Sequence, residues 1–285
     1  MKRDYVYKKI TDRILAEMGK GNIPWKQPWI VKEQRNYFSK KPYNGINVLM
    51  TMLENKPSAD WATFNQINKH GYKVNKGAKG IPIIFTEMRP IKKENEDGEI
   101  EVKFIPFLKG WTIFNISDTN IPIEKSNELA NIPDCDDMIK NAIDKLGLAM
   151  LTGNSAHYTP SMHSITIPPK SNFKKPEEYY ATVFHEIIHA TGNATGREFG
   201  KSFGDNQYSK EELIAEIGAT YLCGICGIEN SVIQNAGAYL KAWKKELEND
   251  NRIIVQAASQ AQKAVNYLLG KEINNENKKM AKISR

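Results

Sequence analysis

Two of the chain's five histidines, His185 and His189, stand four residues apart in "EYYATVFHEIIHATGN", with Glu186 directly after the first. Helix positions i and i+4 share a face one turn apart, so both imidazoles can reach one ion. Glu186 lies about 100° around that helix, off the ligand row, where it can serve a water beside the ion. This H-E-x-x-H spacing suits zinc-assisted hydrolysis, in which His185 and His189 hold Zn2+ and Glu186 acts as the base. The rival reading is a helix that carries two unrelated imidazoles. Apolar Phe184, Ile187 and Ile188 weigh against it, because they give the histidine helix a buried flank.

A catalytic zinc needs a third protein ligand and an open fourth position. His70 falls in a basic stretch and reads as surface. His157 and His163 read as solvated loop residues, or as groups behind a ligand or beside a substrate. "YSKEELIAEIGATYL" (208–222) is the better source. On a helix Glu212 and Glu216 share a face, whereas Glu211 turns elsewhere with Ala215. Glu212 is expected as the third ligand. Glu216 is expected to hold an imidazole from behind, or to be the alternative ligand. "SKEE" also fits a capping box, in which Glu212 would merely accept from the Ser209 amide. Gly218 and Ala219 are small enough to let this helix lie close to the histidine helix. "CGIC" (223–226) continues the apolar pattern and reads as small buried thiols.

The elements that must position these groups follow from periodicity. Asp4 can cap a first helix with Val6, Ile10, Ile14 and Met18 as its apolar stripe and Gly19 and Gly21 as its end. "YNGINVLMTML" (43–53) predicts a short helix, and "DWATFNQINKHG" (60–71) another, capped by Asp60 and stopped at Gly71. "YKV" and "IPIIFTEM" read as strands around the turn "KGAKG", 89–102 as a charged hairpin tip or exposed loop, and 104–116 as further strand. Beyond a polar stretch, "DDMIKNAIDKLG" is helical and 157–168 a hairpin and strand. The histidine helix follows, with Pro176 suited to its first position. One more helix is expected over 209–228 and two over 231–268.

Composition separates the halves. The chain has 285 residues and a net charge of +7. Residues 1–122 carry 21 Lys+Arg against 13 Asp+Glu, and residues 123–285 carry 19 against 20. Four of the five tryptophans also lie in the first 122 residues. The excess favours a polyanion partner for the first half. There, cations alternate with rings: Trp25, Lys26 and Trp29, then Lys41 and Tyr43. Single-stranded nucleic acid is held by such mixtures, cations along the phosphates and rings under unstacked bases. Lys76 and Lys79 of "KGAKG" could face a phosphate, or could be solvated lysines of a turn. Trp61, Phe64, Phe85, Trp111 and Phe114 are expected in the core from their spacing. No run suits a membrane helix or a secretory signal, and three cysteines make no disulfide framework, so a cytoplasmic protein without membrane partners is expected.

In order along the chain, "ITDRILAEMGKGNIPWKQPW", "PYNGINVLM", "WATFNQINKHGYKVNKGAKGIPIIF", "WTIFNISDTN", "ITIPPKSNF", "YYATVFHEIIHATGN" and "YSKEELIAEIGATYLCGICGI" resemble the ArdC-type antirestriction proteins of conjugative plasmids and other mobile elements. The resemblance implies an α+β chain of two domains. The first is a small basic domain that binds single-stranded DNA, and the second a mainly helical zincin-like metalloprotease domain. It also implies a role in shielding incoming DNA from restriction. Expected boundaries are 1–122 for the DNA-binding domain, 123–136 for a linker, 137–270 for the metalloprotease domain and 271–285 for a disordered tail. The expected DNA contacts are Trp25, Lys26, Trp29, Lys41, Tyr43, Asn44, Lys76 and Lys79. Carried over, His185, His189 and Glu212 are ligands of Zn2+ and Glu186 the base. The alternative is a zinc-dependent endopeptidase acting on a host protein, with DNA binding only for targeting.

Overall fold

Val6, Ile10, Ile14 and Met18 fall one per turn on α1 (Arg3–Gly19), and all four are buried, as their spacing requires. The computed structural model describes residues 3–20, 23, 33–54, 56–94, 100–122, 134–197, 206–228 and 236–271. Trp25, Lys26, Trp29, most of the expected linker and nearly all of the expected tail lie outside them.

The first half adds β1 (Arg35–Asn36), α2 (Ile46–Met52), β2 (Asp60–Thr63), α3 (Phe64–Lys69), β3 (Ile81–Glu94) and β4 (Ile100–Asn115). Its sheet has the order β1-β2-β4-β3, with β1 parallel to β2 and the other pairs antiparallel. The single helix expected over 60–71 is instead a strand and a helix. Trp61 and Ala62 are buried in β2, and Thr63, not Asp60, caps α3. The Thr63 hydroxyl accepts from the Gln66 amide while the Gln66 side chain accepts from the Thr63 amide, a reciprocal cap that starts a helix there. Residues 89–94 and 100–102, expected in a hairpin tip, continue the pairing out to Glu94 opposite Ile100.

The second half contains α4 (Cys135–Leu146), β5 (Ala149–Thr152), β6 (His157–Thr159), β7 (Ser164–Ile167), α5 (Pro176–Ala190), α6 (Gly192–Thr195), α7 (Asn206–Ile225), α8 (Ala236–Asn249) and α9 (Ile253–Leu268). Asp134 accepts from the Asp136 amide and caps α4, so residues 134–136 begin this helix rather than end a linker. The second sheet has the order β5-β7-β6, with β5 parallel and β6 antiparallel to β7. Together the halves make a two-domain α+β molecule. Among the described residues no helix is long and apolar enough to cross a membrane.

One apolar cluster runs from Val6 to Leu268 and joins α1, α2 and the root of β3–β4 to α4, α5, α7 and α9. Gly45, at φ 55°, sits on that seam. Its carbonyl accepts from the Tyr221 hydroxyl at 2.9 Å, and its amide donates to Gln262 Oε1 at 3.2 Å. The Thr11 hydroxyl adds a bond to the Asn251 carbonyl at 2.8 Å. The core that supports the histidine helix is therefore partly built by the other half.

Candidate metal centre and basic face

α5 starts with Pro176 at its first position, where a missing amide hydrogen costs nothing, and carries Glu177 and Glu178 in its first turn. Phe184, Ile187 and Ile188 are fully buried and fix its rotation. That rotation sends His185 and His189 toward α7. Close approach of the two helices depends on Gly218, since a Cβ there would come within 2.9 Å of the Ile188 side chain.

His185 Nε2 lies 3.1 Å from His189 Nε2, and Glu212 carboxylate oxygens lie 3.5 Å from each of these nitrogens. Donor atoms of the three residues all fall within 4.8 Å of one another, and no other metal-binding group of this kind occurs among the described residues. Bonds of 2.0–2.1 Å at tetrahedral angles place two zinc-bound nitrogens about 3.3 Å apart, so the donor set fits a divalent ion of that size. Glu212 is no cap: α7 begins at Asn206, which puts Ser209 and Glu212 inside the helix. Glu186 is buried beside His185, and its charge acts on both imidazoles.

The electrostatics follow from burial against charge. Desolvation presses the pKa of His189 down, but bonds to Glu211 and Glu212 outweigh it and push it up to about 10. His185 is shifted upward as well, with burial opposed chiefly by Glu212 and with Glu216 adding its charge. Burial would raise Glu212, yet the two imidazoles hold its carboxyl far below the usual range. The pocket therefore keeps an anionic carboxylate against protons or an ion.

The carboxylate behind His189 is Glu211, a correction to the expectation that it would turn elsewhere with Ala215. Glu211 Oε1 is 3.2 Å from His189 Nδ1. Arg197 in turn grips Glu211 with two bonds of 2.9 and 3.1 Å, and donates to the hydroxyls of Thr191 and Thr195 and to the Ile188 carbonyl. Gly196, left-handed at φ 71°, turns the chain so that Arg197 folds back under α5. In the sequence Arg197 shows only as a Gly-Arg step, too common to single it out. Glu216 is buried one turn beyond Glu212 and outside the converging donor set. His163 bonds to the Tyr158 hydroxyl and the Leu146 carbonyl, and His70 stacks on Phe38.

On the basic half, Lys41, Asn44, Lys76 and Lys79 are exposed. Tyr43 is not: at 6% exposure it belongs to the core and offers no ring face to a base. The expected core rings divide the other way as well. Trp61 is fully buried, whereas Phe64, Phe85 and Trp111 are exposed.

Residues 4–114 match the family described as the N-terminal domain of anti-restriction factor ArdC, and residues 137–260 match the family of zincin-like metallopeptidases. The metal-free crystal structure of the antirestriction ArdC protein from plasmid R388 matches with a TM-score of 0.74 at 33% identity, covering 93% of this chain and 97% of that one. The Mn(II)-bound structure of the same protein gives 0.74 at 32% identity, with 94% and 98% covered. A DNA primase TraC of Escherichia coli is 27% identical over 92% of this chain, which spans only 20% of that relative's length. With both halves matched in order and 97% of a 33%-identical relative covered, the chain belongs to the ArdC family of antirestriction proteins.

Proposed function

We propose that the chain is an antirestriction protein of a mobile element, which binds single-stranded DNA through its first half and holds Zn2+ at His185, His189 and Glu212 as a metallopeptidase. The convergence of three donor atoms from α5 and α7 on one point carries the metal part of this reading. Two imidazoles and one carboxylate suit zinc better than the oxygen-rich sites of hard cations. Bound there, zinc would supply Lewis acidity toward a peptide carbonyl and toward water. Glu186 would take the proton from the attacking water and return it to the leaving amine. Glu211 and Arg197 fix the ring of His189 so that its Nε2 faces the ligand point. The basic charge of residues 1–122 and the kinship with ArdC support the DNA-binding part.

Glu186→Gln separates the two activities. Zinc content by atomic absorption should stay at the wild-type level while cleavage of a denatured protein substrate is lost. Cleavage that persists in this variant would show that Glu186 is not the base. Plasmid transfer into a restricting host, measured with the same variant, distinguishes shielding by DNA occupancy from a requirement for proteolysis. Transfer persists in the first case and falls in the second.

A further inference from the structure

The ribbon of β3 and β4 leaves the core halfway along its length. At its root Ile81, Ile83, Ile84, Leu108 and Ile113 are buried. From Phe85 to Ile91 every described β3 side chain is exposed, as are Val102, Phe104, Ile105 and Phe107 on β4. A two-stranded ribbon gains little stability alone, so exposed rings along it call for another explanation than folding.

Register sorts these side chains by face. Phe85 stands opposite Lys109, Glu87 opposite Phe107, and Arg89 opposite Ile105, with Trp111 two residues beyond Lys109. Successive alternate positions share one face of a strand, so rings and cations interleave on it. The Arg89 guanidinium lies 3.9 Å from the centre of the Phe107 ring, and the Lys109 ammonium 4.3 Å from that of Trp111. Glu87 bonds to Arg89 at 3.1 Å on this face. The opposite face shows Thr86, Pro90, Val102 and Phe104.

The β3 edge of the ribbon is poorly suited to strand addition. Pro82 and Pro90 offer no amide hydrogen, and the Asn47 side chain occupies both the amide and the carbonyl of Ile84. We propose that Phe85, Arg89, Phe107, Lys109 and Trp111 form the platform on which single-stranded DNA lies, bases on the rings and phosphates on the cations. The proposal rests on the reading that the first half binds single-stranded DNA, and it names the surface. An exposed cation–π contact is weaker than a stacked base, so each cation can leave its ring for a phosphate as a base arrives. Tyr43, 6.4 Å from Phe85, brings the neighbouring exposed Lys41 and Asn44 to the foot of this face. Paired bases of a duplex have no free flat faces, so the platform selects single strands.

The test is fluorescence polarisation of a labelled oligothymidylate with the full chain across a salt series. Phe107→Ala and Trp111→Ala should each weaken binding about 5- to 150-fold. Both side chains are at the surface, so the melting temperature and zinc content should stay at wild-type values. Arg89→Gln with Lys109→Gln should lower the slope of log affinity against log salt by about 1.4, two phosphates' worth for a single strand. Wild-type affinity and slope in all these variants would overturn the platform and leave the DNA reading standing. No binding by the wild-type chain would remove both. Light scattering covers the other occupant: if the wild type is a dimer that the ring substitutions split, with DNA affinity unchanged, a second copy of the chain uses this face and the platform falls.

Discussion

Glu211 meets His189 from one side and Arg197 from the other, so a carboxylate outside the converging donor set fixes the direction of a ring within it. Removing Arg197 would leave a buried anion without its partner, which costs about 3–5 kcal/mol. Glu211→Gln is the gentler probe because it keeps shape. It should weaken zinc binding about 10- to 100-fold while the far-ultraviolet circular dichroism stays unchanged. Competition with a chromophoric chelator measures this, and a wild-type dissociation constant would take Glu211 out of the role. The sequence did point to His185, Glu186 and His189, because i, i+4 spacing on a helix is a strong geometric statement. It did not point to Glu211, and the reason lies in imidazole. The two ring nitrogens face opposite ways, so a ligand on one and a support on the other can come from consecutive residues about 100° apart on α7. Reading only the shared face of Glu212 and Glu216 overlooked that option.

Between elements, the distance from α5 to α7 decides whether an ion can be shared. Gly218→Ala should force the helices apart at Ile188, because that side chain is buried and cannot swing clear. The expected cost is about 1–3 kcal/mol in urea denaturation, with weaker zinc binding, and Ile188→Val should restore part of both. No recovery in the double variant would mean that the contact does not set the spacing. The stripe of α1, the Pro176 start of α5 and the small residues of α7 were legible because each is a local pattern with one structural solution. Strand β2 was not, since Asp60 resembles a cap and the true cap lies three residues on at Thr63. β5 escaped too: all four of its side chains are exposed, so no alternation betrays it. The length of the β3–β4 ribbon was hidden by charges around 89–102, which resemble a loop when only composition is weighed. Rings in the ribbon passed for core because alternation shows that a strand has two faces, not which of them is covered.

At the scale of the molecule, the halves share one apolar cluster and, among the described residues, the hydrogen bonds of Thr11 to Asn251 and of Gly45 to Tyr221 and Gln262. Unfolding should therefore proceed as a single calorimetric transition rather than two. Tyr221→Phe removes one of two bonds to the Gly45 carbonyl, which keeps the Val48 amide, and should lower stability by about 0.5–1.5 kcal/mol without splitting that transition. Two separated peaks in either protein would show that the halves hold together less than the shared core requires. The same clasp on Gly45 governs orientation. Held by its amide to α9 and by its carbonyl to α7, this residue works as a rivet through two plates, so neither half can pivot against the other without shearing it. Any polymer lying along the ribbon would thus keep one bearing relative to the cation pocket.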